Sequence, residues 1–175
     1  MTACADRQFP SALAAALAVG FDYADGDGVD FEPFEAFLCA EETTDWFRAW
    51  TGNGEVDGDH FRVFGQDGSG GYAAVWLVRP GRPLVEQPVV FLGSEGETGV
   101  VARDLGAFLW LLADGFGPWE AATPYASDRG PRPHRELTAV AERWAPNHRA
   151  PAAAVIEQAA SEFPDFDDLI MGLCR

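Results

Sequence analysis

The chain of 175 residues contains no lysine, so all 12 of its basic residues are arginines. This absence excludes reactions that need a lysine, namely Schiff-base chemistry and the phosphate-binding lysines of P-loop enzymes and protein kinases. Cysteine is also scarce, because Cys4, Cys39 and Cys174 stand far apart and form no CxxC pair. That spacing indicates neither a structural zinc site nor a disulfide framework, and it is typical of a cytoplasmic protein.

Long apolar runs are missing as well. The longest uninterrupted run, Ala12 to Val19, is far shorter than the ~20 residues that cross a bilayer, so we expect no membrane span. The acidic Asp6 beside Arg7 argues against the basic start of a signal peptide. Apolar residues nevertheless make up 47% of the chain and aromatic residues 13%. This content predicts one folded domain over residues 1–175.

Negative charge is the second notable feature of the composition. The chain has 28 acidic residues and a net charge of −16, and residues 1–60 alone hold 13 acids against 2 arginines. Such a surface repels nucleic acid and anionic membranes and attracts a basic protein partner. The alternative interpretation is that the charge serves solubility alone.

The middle of the chain predicts a sheet followed by a helix. Apolar segments near 61–64, 72–78, 88–92 and 98–101 are separated by glycine and proline, and each has the length of a strand. The segment from Tyr72 to Val78 is apolar at every position, which indicates a strand covered on both faces. A helix follows, with apolar residues recurring at helical spacing: Leu105, Phe108, Leu109 and Leu112.

This order resembles the sheet core of the SUKH superfamily, which includes a fungal cell-wall assembly regulator and many bacterial immunity proteins. The resemblance is carried by the glycine-rich turn 65–71 before Tyr72 to Trp76, the strand and turn Pro88 to Gly96, and the closing helix with Phe108 and Leu109. It implies a binding module of SUKH-like fold without a known reaction. Because superfamily members share mainly fold-determining positions, the resemblance carries over no catalytic residue.

The predicted fold is therefore α+β. We expect a single domain with a curved mixed or mostly antiparallel sheet of about four to six strands, a sheet core at 61–112, and helices on one side and at both ends. Ser11 is predicted to cap a first helix, and a second helix is expected from Ala40 to Trp50, ending at Gly52. Segment 31–38 fits a helix or an extended chain. Residues 118–133 are predicted to form a loop, and 133–173 to form further helices.

The aspartate-rich loop from Asp22 to Asp30 invites a calcium hypothesis, because hard cations prefer clustered carboxylates. The spacing of these aspartates does not match the ligand positions of an EF-hand loop. A start at Asp25 puts Asp30 where the glycine belongs, and a start at Asp22 puts Pro33 where the bidentate glutamate belongs. A solvated acidic loop is the favoured interpretation, and we expect no metal and no cofactor.

The candidate catalytic residues are two serines and three histidines. Ser69 and Ser94 lie in glycine-rich segments that resemble a nucleophile elbow but lack its first glycine, so simple turns are favoured. His60, His134 and His148 are isolated, with no metal-ligand pairing. The expectation is a protein that is not an enzyme.

Five acidic residues are the predicted partner-binding site: Glu41, Glu42, Asp45, Asp57 and Asp59. The first three lie within one predicted helix, where like charges three or four residues apart cost roughly 0.2 to 0.5 kcal/mol per pair. A basic partner would convert this repulsion into attraction, whereas the alternative is an ordinary solvated face. The aromatic stripe of the same helix, formed by Trp46, Phe47 and Trp50, is interpreted as core.

The functional hypothesis is a cytoplasmic, non-catalytic protein-binding domain. If the resemblance carries function, the specific role is that of an immunity protein whose acidic face neutralises a nuclease-type toxin. The alternative is a housekeeping or regulatory interaction protein of the same fold with no toxin partner. The oligomeric state stays open, as does the role of the arginine-rich segment 128–149.

Overall fold

The structure is a computed structural model that describes residues 7–123, 128 and 130–175. Five strands pair in chain order into one antiparallel sheet: β1 (Glu32–Pro33), β2 (Phe61–Gln66), β3 (Tyr72–Trp76), β4 (Val89–Leu92) and β5 (Thr98–Ala102). Seven α-helices lie in the described residues: α1 (Ser11–Leu17), α2 (Ala40–Thr51), α3 (Leu105–Ala113), α4 (Pro118–Ala122), α5 (Arg135–Trp144), α6 (Ala152–Glu162) and α7 (Phe166–Met171). The predicted single α+β domain with a mostly antiparallel sheet is confirmed.

Helices cover both faces of the sheet. On one face, Phe64, Val75 and Phe91 point into a core shared with α1, α3 and α5. On the other face, strand residues such as Val63 and Leu92 meet α2 and α7. The expectation of helices on one side and both ends is therefore wrong. The physical reason is visible in β4, which is buried at all four positions and so needs an apolar partner on each face.

Helix α2 forms where the aromatic stripe and Gly52 predict it. Cys39 and Glu42 form a capping box at its start, and Gly52 ends it with a positive φ of 65°. Phe47 is buried against the sheet, and Trp46 stacks on Tyr72 with 4.6 Å between ring centroids. The interpretation of the stripe as a face that packs on the core is confirmed.

The two glycine-rich turns of the sheet meet at one end of the molecule. A Cβ on Gly71 would lie 2.9 Å from the Cα of Gly93, so the β2–β3 and β4–β5 turns are in direct contact. The hydroxyls of Ser69 and Ser94 are hydrogen-bonded over 2.9 Å, and Asp67 accepts from the Ser69 hydroxyl. Both serines thus lie in turns and hold them together.

Two local predictions need correction, and one open alternative is resolved. Ser11 makes no capping hydrogen bond and is the first helical residue of α1, after Pro10. Segment 31–38 is extended where it contributes β1 to the sheet edge. The predicted loop 118–133 begins with α4, because Pro118 suits the first helical position and Glu120 accepts from the Gly117 N–H; its residues 124–127 and 129 lie outside the described part.

Two remaining predictions concern the membrane and the cysteines. In the described part of the chain, no helix combines the length and apolar character that crossing a bilayer requires. Cys39 and Cys174 are free thiols, while Cys4 lies outside the described residues.

Candidate protein-interaction surface

The five predicted partner-binding residues all have exposed side chains, and together they are called the acidic surface: Glu41, Glu42, Asp45, Asp57 and Asp59. The first three lie on the first two turns of α2. The other two lie in the loop 52–60, which connects α2 to β2. The acidic surface therefore depends on how closely this loop approaches the helix.

Gly58 joins the loop to the helix. Its backbone N–H donates to the Thr44 hydroxyl over 3.0 Å. A Cβ at Gly58 would lie only 2.8 Å from the carbonyl carbon of Thr43, an approach that only glycine permits. Asp57 and Asp59 stand on either side of Gly58, so the structure brings them beside the turn of α2 that carries the other acids.

The carboxylates of the acidic surface form no salt bridge within the described residues. The nearby arginines are engaged with backbone oxygens, since Arg48 donates to the Val56 carbonyl over 2.8 Å and Arg62 donates to the Asp59 carbonyl over 2.9 Å. Both bonds hold the loop in place. The acidic surface thus keeps carboxylates available to an external cation.

Two of the five acids also have a structural task, since Asp57 accepts from the Asp59 N–H over 3.1 Å and Glu42 caps α2. The Glu42 carboxylate accepts a hydrogen bond from the Cys39 backbone N–H over 3.0 Å, and the Glu42 N–H donates to the Cys39 sulfur. The backbone hydrogen bond, followed by the bond with the Cys39 side chain, lowers the pKa of Glu42. Glu42 therefore carries its charge reliably at neutral pH while it caps α2.

An apolar groove opens next to the acidic surface, between α2 with its loop on one side and α7 on the other. Its cavity volume is about 240 Å³, and its lining includes Phe47, Val56, Phe61, Trp76, Leu169 and Leu173. Asp57 and His60 also line it. This feature, called the α2–α7 groove, continues the acidic surface into an apolar recess.

The C-terminal residues fix the position of α7 against α2. The Asn53 side chain donates to the Leu173 carbonyl over 2.8 Å, and the Arg175 N–H donates to the Thr51 carbonyl over 3.0 Å. Phe166 and Ile170 bury the inner face of α7 in the core shared with Phe47. Sequence reasoning missed the groove, because its two walls lie more than a hundred residues apart and only these tertiary contacts join them.

The aspartate-rich loop keeps its acids apart. Asp22 accepts from the Ala24 N–H, Asp27 pairs with Arg132 at 2.9 Å, and Asp30 accepts from the Gly68 N–H. No group of three or more metal-ligating side chains comes together among the described residues. The carboxylates of Asp22, Asp27 and Asp30 therefore make separate contacts.

The three histidines lie in separate places. His60 lines the α2–α7 groove, and His134 accepts from the Leu137 N–H at the start of α5. His148 approaches Asp104, with 3.5 Å between Nε2 and a carboxylate oxygen, in a second cavity of about 340 Å³ beside α3. Asp104 is itself the N-cap of α3. Its hydrogen bond to the helix gives this carboxylate a structural task.

Comparison with known proteins identifies no relative of this chain. No family model matches the chain, and neither the curated proteins nor the solved structures give a match. The physical properties of the acidic surface and the adjoining groove therefore carry the functional proposal.

Proposed function

We propose that this protein is a non-catalytic protein-binding domain that docks through its acidic surface on a basic partner. Its specific role in this proposal is immunity, in which the acidic surface occupies the positively charged cleft of a cognate nuclease-type toxin and excludes the nucleic acid. The resemblance of the sheet core to the SUKH superfamily supports this role.

The observation that carries the proposal is the Gly58 to Thr44 hydrogen bond, because it joins two acidic segments into one surface. A loop that stood away from α2 would leave two separate charge clusters. Joined, the carboxylates sum their fields in one place and are free of internal salt bridges in the described part of the chain. Complementary fields of this kind accelerate association and weaken as salt screens them.

A capture experiment with three baits tests the proposal. The first bait is the wild-type chain, and the second carries Glu41→Gln and Asp45→Asn, which remove two charges but leave the Glu42 cap intact. The third bait carries Asp25→Asn and Glu136→Gln as a matched control. This control also removes two negative charges, so the net charge changes equally. The two exposed acids belong to a loop and a helix that pack on the opposite face of the sheet.

We expect the wild-type and control baits to retain a basic protein, which elutes as the salt concentration rises. The α2 variant should not retain this protein. If that protein is a nuclease, wild type is expected to inhibit its activity in stoichiometric titration. If all three baits retained the protein equally, the acidic surface would not be its binding site. A captured partner without toxin activity would favour the housekeeping or regulatory alternative over immunity.

A further inference from the structure

The α2–α7 groove lies next to the charges that the proposed function uses. We infer that this groove takes one apolar side chain of the basic partner, presented by a segment in which arginine or lysine flanks that side chain. The inference rests on the proposed function and adds the chemistry of the segment that is recognised.

The size and lining of the groove fit a side chain better than a whole small molecule. Its cavity of about 240 Å³ is below the range of roughly 300 to 1,000 Å³ that is usual for small-molecule sites. Phe61 and Trp76 of the sheet contribute to its lining, and Leu169 stands at its edge with half of its surface exposed. Recesses of this kind hold the buried anchor residues that dominate binding at protein interfaces.

One wall of the groove is acidic. Asp57 lines this wall and is followed by the exposed Asp59. On α7 the exposed Asp168 directly precedes Leu169, whereas Asp167 accepts from the Thr98 hydroxyl of β5. An apolar floor beside negative charge is complementary to an apolar side chain next to cations. The same charges repel an acidic peptide, a nucleic acid or an anionic lipid surface.

A second copy of this chain is a poorer occupant than a basic partner. Each copy carries a net charge of −16, so two copies repel each other at long range. Charge complementarity therefore points to a different chain of positive charge.

The test uses the full isotope-labelled chain and defined peptides, with backbone amide shifts followed by NMR. The first peptide consists of arginine, lysine and alanine with one central phenylalanine. The second replaces that phenylalanine by serine, and the third keeps the phenylalanine but replaces every basic residue by glutamate. We expect the first peptide to cause saturable shifts at Leu169, Ile170 and Leu173, which line the groove on the side away from the acidic surface, and the other two to leave these amides unchanged.

A pair of variants on one helix separates the groove from general surface effects. Leu169 lines the groove, whereas Met171 does not line it, and the two side chains are 50% and 51% exposed. Because both are exposed, Leu169→Gln and Met171→Gln are expected to retain the fold. Leu169→Gln should weaken binding of the phenylalanine peptide about fivefold or more, and Met171→Gln should leave it within about twofold.

The outcomes distinguish the groove from the acidic surface. If both basic peptides shift only the amides around Glu41 and Asp45, the groove inference is wrong and the proposed function stands. If no basic peptide binds, both fail. Concentration-dependent shifts at the groove without any peptide would show that a second copy fills it, which also overturns the inference.

Discussion

The backbone N–H of Gly58 donates to the hydroxyl of Thr44 over 3.0 Å, and this contact holds the loop 52–60 against helix α2. It places Asp57 and Asp59 beside the acids of the helix. Two segments that would otherwise be separate therefore act as one charged surface.

Gly58→Ala is expected to destabilise the protein. The new Cβ would lie 2.8 Å from the Thr43 backbone, which cannot move without disturbing α2. Overpacking of this kind costs roughly 1 to 3 kcal/mol of unfolding free energy, measurable by urea denaturation. Gly54→Ala is the matched control in the same loop, because nothing lies within 4 Å of its added Cβ. Equal stabilities of the two variants would contradict the close approach of loop and helix.

Asp67→Ala is expected to loosen the β2–β3 turn. The Asp67 side chain is 3% exposed, and one of its oxygens accepts from the N–H groups of Ser69 and Gly71. The bond from Gly71 is buried, and a buried donor left without a partner costs roughly 1 to 3 kcal/mol, which urea denaturation would measure.

Asp67→Asn tests whether the acceptor oxygen or the negative charge of Asp67 holds the turn. An asparagine retains a carbonyl oxygen that can accept from both N–H groups, so this variant should recover most of the lost stability in thermal unfolding. If Asn were as destabilising as Ala, the negative charge and not the acceptor geometry would hold the turn.

The pKa of Glu42 predicts a pH-dependent contribution to stability. Because the Cys39 backbone hydrogen bond lowers the pKa in the folded state, the ionised carboxylate stabilises the fold. This contribution is fully present above the pKa of an unfolded glutamate, about 4.3, and is lost as pH falls through the lower folded pKa.

Glu42→Gln tests this contribution, since glutamine can keep the capping bond without the charge. The stability difference between wild type and Glu42→Gln should be largest near neutral pH and shrink below pH about 4. Direct NMR titration of the Glu42 carboxyl should give a pKa below the ordinary value. A difference that stays constant with pH would contradict the capping account.

Local patterns predicted those parts of the fold that depend on neighbouring residues. Helix α2 followed from its aromatic stripe and from Gly52. The apolar run of Tyr72 to Val78 indicated a strand covered on both faces, and the structure forms that strand over Tyr72–Trp76. By contrast, α4 has five residues within a proline- and arginine-rich stretch, and β1 has only two residues, one of them Pro33. Such short elements depend on tertiary contacts more than on local propensity.

The candidate site divides in the same way. The acids of α2 and of the loop were visible in the sequence, because charge spacing is a local property. Their union through Gly58 was not visible, because a hydrogen bond to Thr44 spans 14 residues and leaves no periodic signal. The groove was still harder to predict from the sequence, because α7 is held against α2 by long-range contacts such as that of Asn53 with Leu173.

The most direct measurement is the association rate with the captured partner at several salt concentrations, for wild type, the Glu41→Gln and Asp45→Asn variant, and the Asp25→Asn and Glu136→Gln control. The account predicts that the α2 variant associates severalfold more slowly at low salt, with a weaker salt dependence, while the control follows wild type. Association rates that fall equally in both variants would mean that only net charge matters. That result would contradict docking through the acidic surface.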